Sequence, residues 1–465
     1  MGTNSKTQTM NRLLAFRIAI VASVAIGWAS AGCEKKQDAA NGAVEPDEKT
    51  SISFLISADT AGWIEPCGCT TKQSGGLPRR GTMVKAMRKE KPTVVLDCGG
   101  AAAGVSDYHQ LKLESIMAGE AAMKLVAHNV GGSEAAFGKV ALQQVVDKQI
   151  VPLFSTNVCD DAGKPIGEKV QWVSAGGNRI AVLGVMDPKF SGDQLQVLPP
   201  KQSILNAIDE FKEKPDAILV LAYLPRPALM ELAKALPEVD AIIGGPTGQT
   251  ISPTRVGAVL VASSTNKGKF LVQLDYDPER SPRFEADVVE LDESWADDAD
   301  QKENLKTYHD RLAGKDFESH LTGVKKSVAT LLDSKDQFVG NAKCQTCHVA
   351  DCQHYTSTKH SVAWETLVNK ASHVDPYCQQ CHTTGYGSQV GFVSIEKSEA
   401  LFDVGCESCH GPSSRHCEKP AVKTVYDARD QCLQCHDREN SPLFNYELYW
   451  PKILHGLEKV AEAKK

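Results

Sequence analysis

The sequence predicts two bodies of different construction: a layered α/β domain over residues 51–292 and a mostly helical, cysteine-rich module over residues 336–465. Three observations predict this. Between 51 and 292, short β-branched apolar runs alternate with amphipathic helix patterns, as expected of buried strands covered by helices. From 336 onward the aliphatic content falls and the pattern C-x-x-C-H occurs four times. Between them, residues 293–335 are strongly charged and read as a polar helical connector that packs little, with His309 and His320 solvated.

Taken in order, residues 1–33 read as an export signal rather than as part of the fold. Lys6, Arg12 and Arg17 form a basic start, and the apolar stretch 18–26 is too short for an ordinary membrane span. Small residues then lead through Ala29, Ser30, Ala31 and Gly32 to Cys33. This resembles the lipobox of a bacterial lipoprotein, which implies lipid on Cys33 and attachment to the periplasmic side of a membrane; plain cleavage would release the chain into the periplasm. Residues 34–50 are polar and read as a flexible tether.

Strands are expected at 52–57, 93–97, 180–185, 217–221, 241–243, 258–262 and 270–275. Helices are expected at 81–89, 137–148, 204–212 and 227–236. The 465 residues carry a net charge of −7 and no basic run, so nothing points to a nucleic-acid partner.

The first of the four repeats is Cys344, Cys347 and His348, and the second is Cys378, Cys381 and His382. The third is Cys406, Cys409 and His410, and the fourth is Cys432, Cys435 and His436. This is the attachment signature of c-type haem: two thiols become thioethers to the porphyrin and the adjacent histidine ligates the iron. Zinc knuckles would not require a histidine directly after each pair. Four covalently bound haem c groups in so short a segment must lie nearly in contact. Each iron then needs a sixth ligand. A second histidine favours electron transfer, whereas an open position allows chemistry on a small molecule. His360, His373, His416 and His455 are the expected distal ligands; His354, close behind His348, is the weakest of the five non-motif histidines.

The stretches 57–62, 75–80, 94–100, 131–134 with Phe137 and Gly138, 221–224 and 242–248 resemble the calcineurin-like metallophosphoesterase domain of periplasmic 5′-nucleotidases. The resemblance implies a four-layer α-β-β-α sandwich and a dinuclear metal centre with ions about 3.5–4 Å apart. Of the eight positions at which that family places ligands, only Asp59 keeps a donor of the family's type; Ala61, Gly100, Gly132, Ser133, Tyr223, Pro246 and Gly248 fill the others. The domain therefore reads as a relic without that activity. Arg79 and Arg80 match the family too, either as an anion site or as internal ion pairs. His128 reads as a partly exposed helix-end residue.

The stretches 338–344, 381–387, 404–412 and 435–442 resemble the tetrahaem cytochrome c-554 family. That resemblance implies electron transfer through stacked haem pairs, with one haem that can be five-coordinate. Seven of the fifteen cysteines lie outside the motifs. Cys98 is expected to pair with Cys67 or Cys69 in a disulfide, with a thiolate metal or redox site as the sharper alternative; Cys352 and Cys417 could pair, and Cys159 reads as a buried apolar residue. The leading function is an exported electron carrier whose α/β domain serves as a binding platform for redox partner proteins. A haem oxidoreductase acting on a small nitrogen or sulfur compound and a metal-dependent phosphoesterase are the alternatives.

Overall fold

The computed structural model describes residues 49–66, 73–148, 150–265, 267–324, 335–424, 428–438 and 440–456. The expected signal, lipid-bearing Cys33 and all of the tether except Lys49 and Thr50 lie outside these residues, as do Cys67 and Cys69.

Fourteen strands are described: β1 (Ile52–Ser57), β2 (Thr93–Asp97), β3 (Ala127–Asn129), β4 (Leu153–Phe154), β5 (Val158–Asp160), β6 (Val170–Ala175), β7 (Asn178–Met186), β8 (Leu195–Val197), β9 (Ala217–Tyr223), β10 (Ala241–Gly245), β11 (Ile251–Val256), β12 (Val259–Ser263), β13 (Phe270–Tyr276) and β14 (Phe284–Glu290). They form two six-stranded sheets, in the orders β14-β13-β1-β2-β3-β4 and β11-β12-β10-β9-β7-β6, with β5 and β8 as a separate pair. The central strands run parallel; β13, β14, β6 and β11 are antiparallel additions at the edges.

The sheets face each other across a core that includes Phe54, Ile56, Leu96, Val182, Leu219 and Leu221. The outer face of the first sheet is covered by α1 (Leu77–Glu90) and α2 (Asp107–Ala122) through residues such as Met83, Leu113 and Ile116. After α3 (Gly132–Ala135) and α4 (Gly138–Lys148), α5 (Pro200–Asp209) and α6 (Arg226–Ala235) cover the second sheet with Ile204, Leu229 and Leu232. This is the α-β-β-α sandwich, and all seven expected strands and four expected helices are present within a few residues.

The connector differs from expectation. Its α7 (Ala299–Lys315) is capped by the Asp298 carboxylate and buries Gln301, Tyr308 and Leu312 on one face. Gln301 donates to the Gly119 carbonyl of α2 at 2.9 Å, and Tyr308 and Leu312 join the core beneath the first sheet. By packing, α7 belongs to the sandwich. His309 and His320 are correspondingly shielded, with side chains 12% and 23% exposed, and lie 3.6 Å from Glu65 and Glu318.

Beyond it the described helices are short: α8 (Asn341–Gln345), α9 (Val349–Thr356), α10 (Ala363–Val368), α11 (Pro376–His382), α12 (Cys406–His410), α13 (Ser414–Glu418), α14 (Ala428–Leu433) and α15 (Tyr446–Tyr449). Their apolar core is small, built on Phe338, Tyr386, Phe392 and Leu401. A buried carboxylate is one of the contacts that join the module to the sandwich. Asp375, which caps α11, accepts from the hydroxyls of Tyr108 at 2.7 Å and Tyr308 at 2.8 Å, and lies 3.4 Å from Lys112 Nζ. Burial would raise its pKa, but Lys112 and the two hydroxyls outweigh that and hold it below the usual carboxylate range.

Candidate functional site: the histidine-rich module and the emptied centre

Each C-x-x-C-H motif sits at or beside a short helix; the second and third lie wholly within α11 and α12, which puts their thiols and histidine on one helical face. The eight attachment thiols are all within reach of the surface. Cys347 is exposed, and Cys344, Cys378, Cys381, Cys406, Cys409, Cys432 and Cys435 are half-buried. Thioether formation needs that access, because each sulfur must meet a porphyrin vinyl group. The Cys344 and Cys406 thiols lie within hydrogen-bonding reach of each other, so the first and third attachment points adjoin. Cys352 and Cys417 are both free thiols, so the pairing considered for them is not formed.

The module brings most of the predicted axial histidines into facing pairs. Ring centres are 6.1 Å apart for His348 and His416, 6.2 Å for His436 and His360, and 5.8 Å for His410 and His455. Two iron–imidazole bonds of about 2 Å each require facing ring centres about 6 Å apart, so these pairs fit an intervening iron. His354, discounted on sequence, also approaches His455, at 6.4 Å. His373 meets the edge of the Trp364 ring at 5.8 Å.

Four of these histidines have their Nδ1 anchored, as metal-bound imidazoles do, whereas His373 Nδ1 is buried without a hydrogen-bond partner among the described residues. Nδ1–H of His382 donates to the Ala363 carbonyl at 2.6 Å, that of His416 to Val422 at 2.8 Å and that of His455 to Ile453 at 2.9 Å. His436 Nδ1 lies 3.0 Å from Ser441 Oγ. Burial lowers the pKa of His360, His373, His410 and His436, and the facing histidine adds to this for His360 and His410. The shift is toward the neutral form, the one that ligates iron.

In the sandwich, the loops that would hold a dinuclear centre converge on aromatic rings. A Cβ at Gly100 would lie 2.6 Å from the Tyr223 ring, and one at Gly132 would lie 2.8 Å from the Phe190 ring. These two rings meet edge to face at 5.3 Å. Asp59 accepts from Thr265 Oγ1 at 2.9 Å, and burial raises its pKa. The missing ligands are therefore replaced by packed side chains. Cys98 is a fully buried free thiol that donates to the Ile243 carbonyl at 3.3 Å, so the disulfide expected of it is not formed. Arg79 and Arg80 are also buried: Arg79 donates to the Leu291 carbonyl and Arg80 to Thr60 Oγ1.

One group was misplaced on sequence. His128 is not at an exposed helix end; it lies on β3 and is completely buried. Its Nδ1 is 2.9 Å from Glu120 Oε2, and its Nε2 is 3.7 Å from Glu134 Oε1 and 3.9 Å from Asp97 Oδ1. Arg80 stands 4.0 Å from the other Glu120 oxygen. Glu134 is held at about 2, because His128 and the Gly100 and Ala101 amides outweigh its burial. Asp97 is pushed up to about 7, chiefly by burial. The signal available in the sequence was a His and a Glu eight residues apart, too weak without the fold.

Comparison with known proteins follows the same division. The family model for cytochrome c554 and c-prime matches residues 285–349 and 343–411. Cytochrome c-554 of Nitrosomonas europaea is 30% identical across a 141-residue alignment covering 23% of this chain and 60% of that protein. A 5′-nucleotidase precursor from Thermus thermophilus superposes with a TM-score of 0.51 at 21% identity, over 58% of this chain and 61% of its own. The sulfate thiohydrolase SoxB from Thermus thermophilus gives 0.50 at 16%, over 58% and 62%. This chain thus spans about three fifths of each relative. The C-terminal module resembles cytochrome c-554, and the sandwich has the metallophosphoesterase fold.

Proposed function

We propose that this chain is an exported, lipid-anchored electron-transfer protein of the bacterial periplasm, carrying four haem c groups. Its hydrolase-like sandwich serves as a docking platform for redox partner proteins. The observation that carries the reading is the set of three facing histidine pairs at 5.8 to 6.2 Å. Haem c, when bound, supplies a one-electron iron couple. The paired cysteines Cys344 and Cys347, Cys378 and Cys381, Cys406 and Cys409, and Cys432 and Cys435 would each fix one porphyrin. His348, His382, His410 and His436 would ligate from one side. His360, His416 and His455 would close the opposite side of their partners, with His373 and His354 as the further candidates. Membrane attachment would run through lipid on Cys33.

The filled centre supports a binding rather than hydrolytic role for the sandwich, since Tyr223 and Phe190 occupy the space that ligands at 100 and 132 would need. Optical and EPR spectra with haem quantitation test the proposal. Four haems per chain with low-spin signals uphold it. A high-spin signal that carbon monoxide or nitric oxide perturbs would move the assignment to an oxidoreductase acting at an open iron. Mass analysis of the mature N-terminus reads the lipid on Cys33.

A further inference from the structure

The cluster around His128 is separate from the haem ligands and is not the family's dinuclear centre, whose positions are emptied. Three carboxylates, from Asp97, Glu120 and Glu134, surround one imidazole, and all four residues are completely buried. Donor atoms of Asp97, Glu120 and His128 lie within 4.8 Å of one another. Burying three carboxylates demands compensation. Arg80, 1% exposed, offsets one of them. Without a metal ion the balance falls on a protonated His128, whose pKa, against its burial, Glu120 and Asp97 raise well above the usual imidazole range.

The imidazole geometry shows where compensation belongs. Nδ1 is hydrogen-bonded to Glu120 at 2.9 Å. Among the described residues Nε2 is buried without a hydrogen-bond partner, yet it points at Glu134 Oε1 and Asp97 Oδ1 at 3.7 and 3.9 Å. A proton on Nε2 bridges to neither oxygen, because N–H···O bonds close at about 2.7–3.2 Å. A metal ion bonded at about 2.0–2.2 Å to each donor spans separations of up to roughly 4 Å. Both observed distances fall in that second range. A histidine that ligates through one nitrogen while donating the other N–H to a carboxylate is the usual arrangement at protein metal sites.

We propose that His128 Nε2, Asp97 and Glu134 hold one divalent transition-metal ion, with Glu120 as the carboxylate that positions the imidazole. Mixed imidazole and carboxylate donors suit Zn²⁺, Fe²⁺ or Mn²⁺. The ion would take over that balance and leave the imidazole neutral. It sits one layer beneath the emptied centre, because the Glu134 carboxylate also accepts from the Gly100, Ala101 and Gly131 amides on the loops of that centre. Complete burial leaves substrate no access, so the role is structural: the ion ties β2 and β3 to α3, and Glu120 links it to α2.

The test uses the full-length holoprotein. Elemental analysis, with haem iron subtracted through haem quantitation, should give about one non-haem divalent ion per chain. After chelator dialysis, titration with Zn²⁺ or Mn²⁺ should restore one equivalent and raise the unfolding midpoint. Glu120→Gln should weaken uptake about 10–100-fold. The paired change Glu120→Met with His128→Met, which removes the donors at similar volume, should abolish it while the haem content stays the same. If that pair fails to fold, as judged by far-UV circular dichroism, His128→Gln gives the same readout. Two results would overturn the assignment: no non-haem ion and no response to either metal, or an ion retained in the His128 variants.

Discussion

Tyr223 and Phe190 set the terms for any return of hydrolytic chemistry. Gly100 has φ of +88°, a region unfavourable to side chains, and its missing Cβ would sit 2.6 Å from Tyr223. Placing a carboxylate at this ligand position by Gly100→Asp should therefore cost about 1–3 kcal/mol in urea unfolding and yield no phosphoesterase turnover with added Mn²⁺. Measurable turnover in that variant would show that the rings yield more readily than their packing implies. His109 makes a prediction of a different kind. Its ring contacts Ser106 at 2.8 Å, and Ser106 Oγ donates to the Thr322 carbonyl. Burial first, then nearby Lys112, lowers its pKa from 6.5 to about 4, with Asp375 opposing weakly. Between these values the unfolded chain binds the proton that the folded chain refuses, so stability rises with pH across this window. Acidification from pH 6.5 toward 4 should lower stability by about 3 kcal/mol at most, and by less once solvent screening is counted. His109→Gln should flatten that part of the urea midpoint–pH curve; an unchanged slope would place the effect elsewhere.

Among the elements, α7 shows what the sequence pattern could and could not reveal. Its composition is polar, and only Gln301, Tyr308 and Leu312 are fully buried, so charge alone points to a solvated connector. Spacings of seven and four residues put these three on one helical face, which is legible only once a surface exists to receive it. Leu312→Ala should destabilise by about 2–5 kcal/mol, as a core truncation does, whereas the exposed Glu303→Ala should change stability by under about 0.5 kcal/mol. Equal effects would return α7 to the connector role. The strands follow the same logic. Central strands such as β1 and β9 are buried at every residue and read as continuous apolar runs. Edge strands β6, β11 and β14 carry mixed burial and were not anticipated. The haem attachment residues are fully legible because each motif is local. The His128 cluster is not, because its members come from four elements and meet only in three dimensions.

At the scale of the whole molecule, the question is whether sandwich and haem module form one cooperative unit. Asp375 lies just before the second haem motif, yet its partners Tyr108 and Lys112 are on α2 and Tyr308 is on α7. The junction has a second strand of bonding: Ser319 donates to the Phe392 carbonyl at 2.6 Å, and the Thr322 and Tyr386 hydroxyls meet at 3.0 Å. A buried carboxylate shared by a lysine and two tyrosines is costly to break, because separation exposes or orphans a charge on each side. Removing one partner of such a pair typically costs about 3–5 kcal/mol. In the holoprotein, hydrogen exchange should therefore report one opening free energy for peptides from β1 and β9 and for peptides from α11. Asp375→Ala should split them: α11 should open more easily by about 3–5 kcal/mol, while β9, buried between α5, α6 and the facing sheet, should change little. Tyr308→Phe, which removes one hydroxyl and leaves the ion pair, should produce a smaller separation of about 1 kcal/mol. If the two regions already open independently in the unaltered protein, the junction is a contact rather than a lock. The sandwich and the haem module would then unfold as separate units.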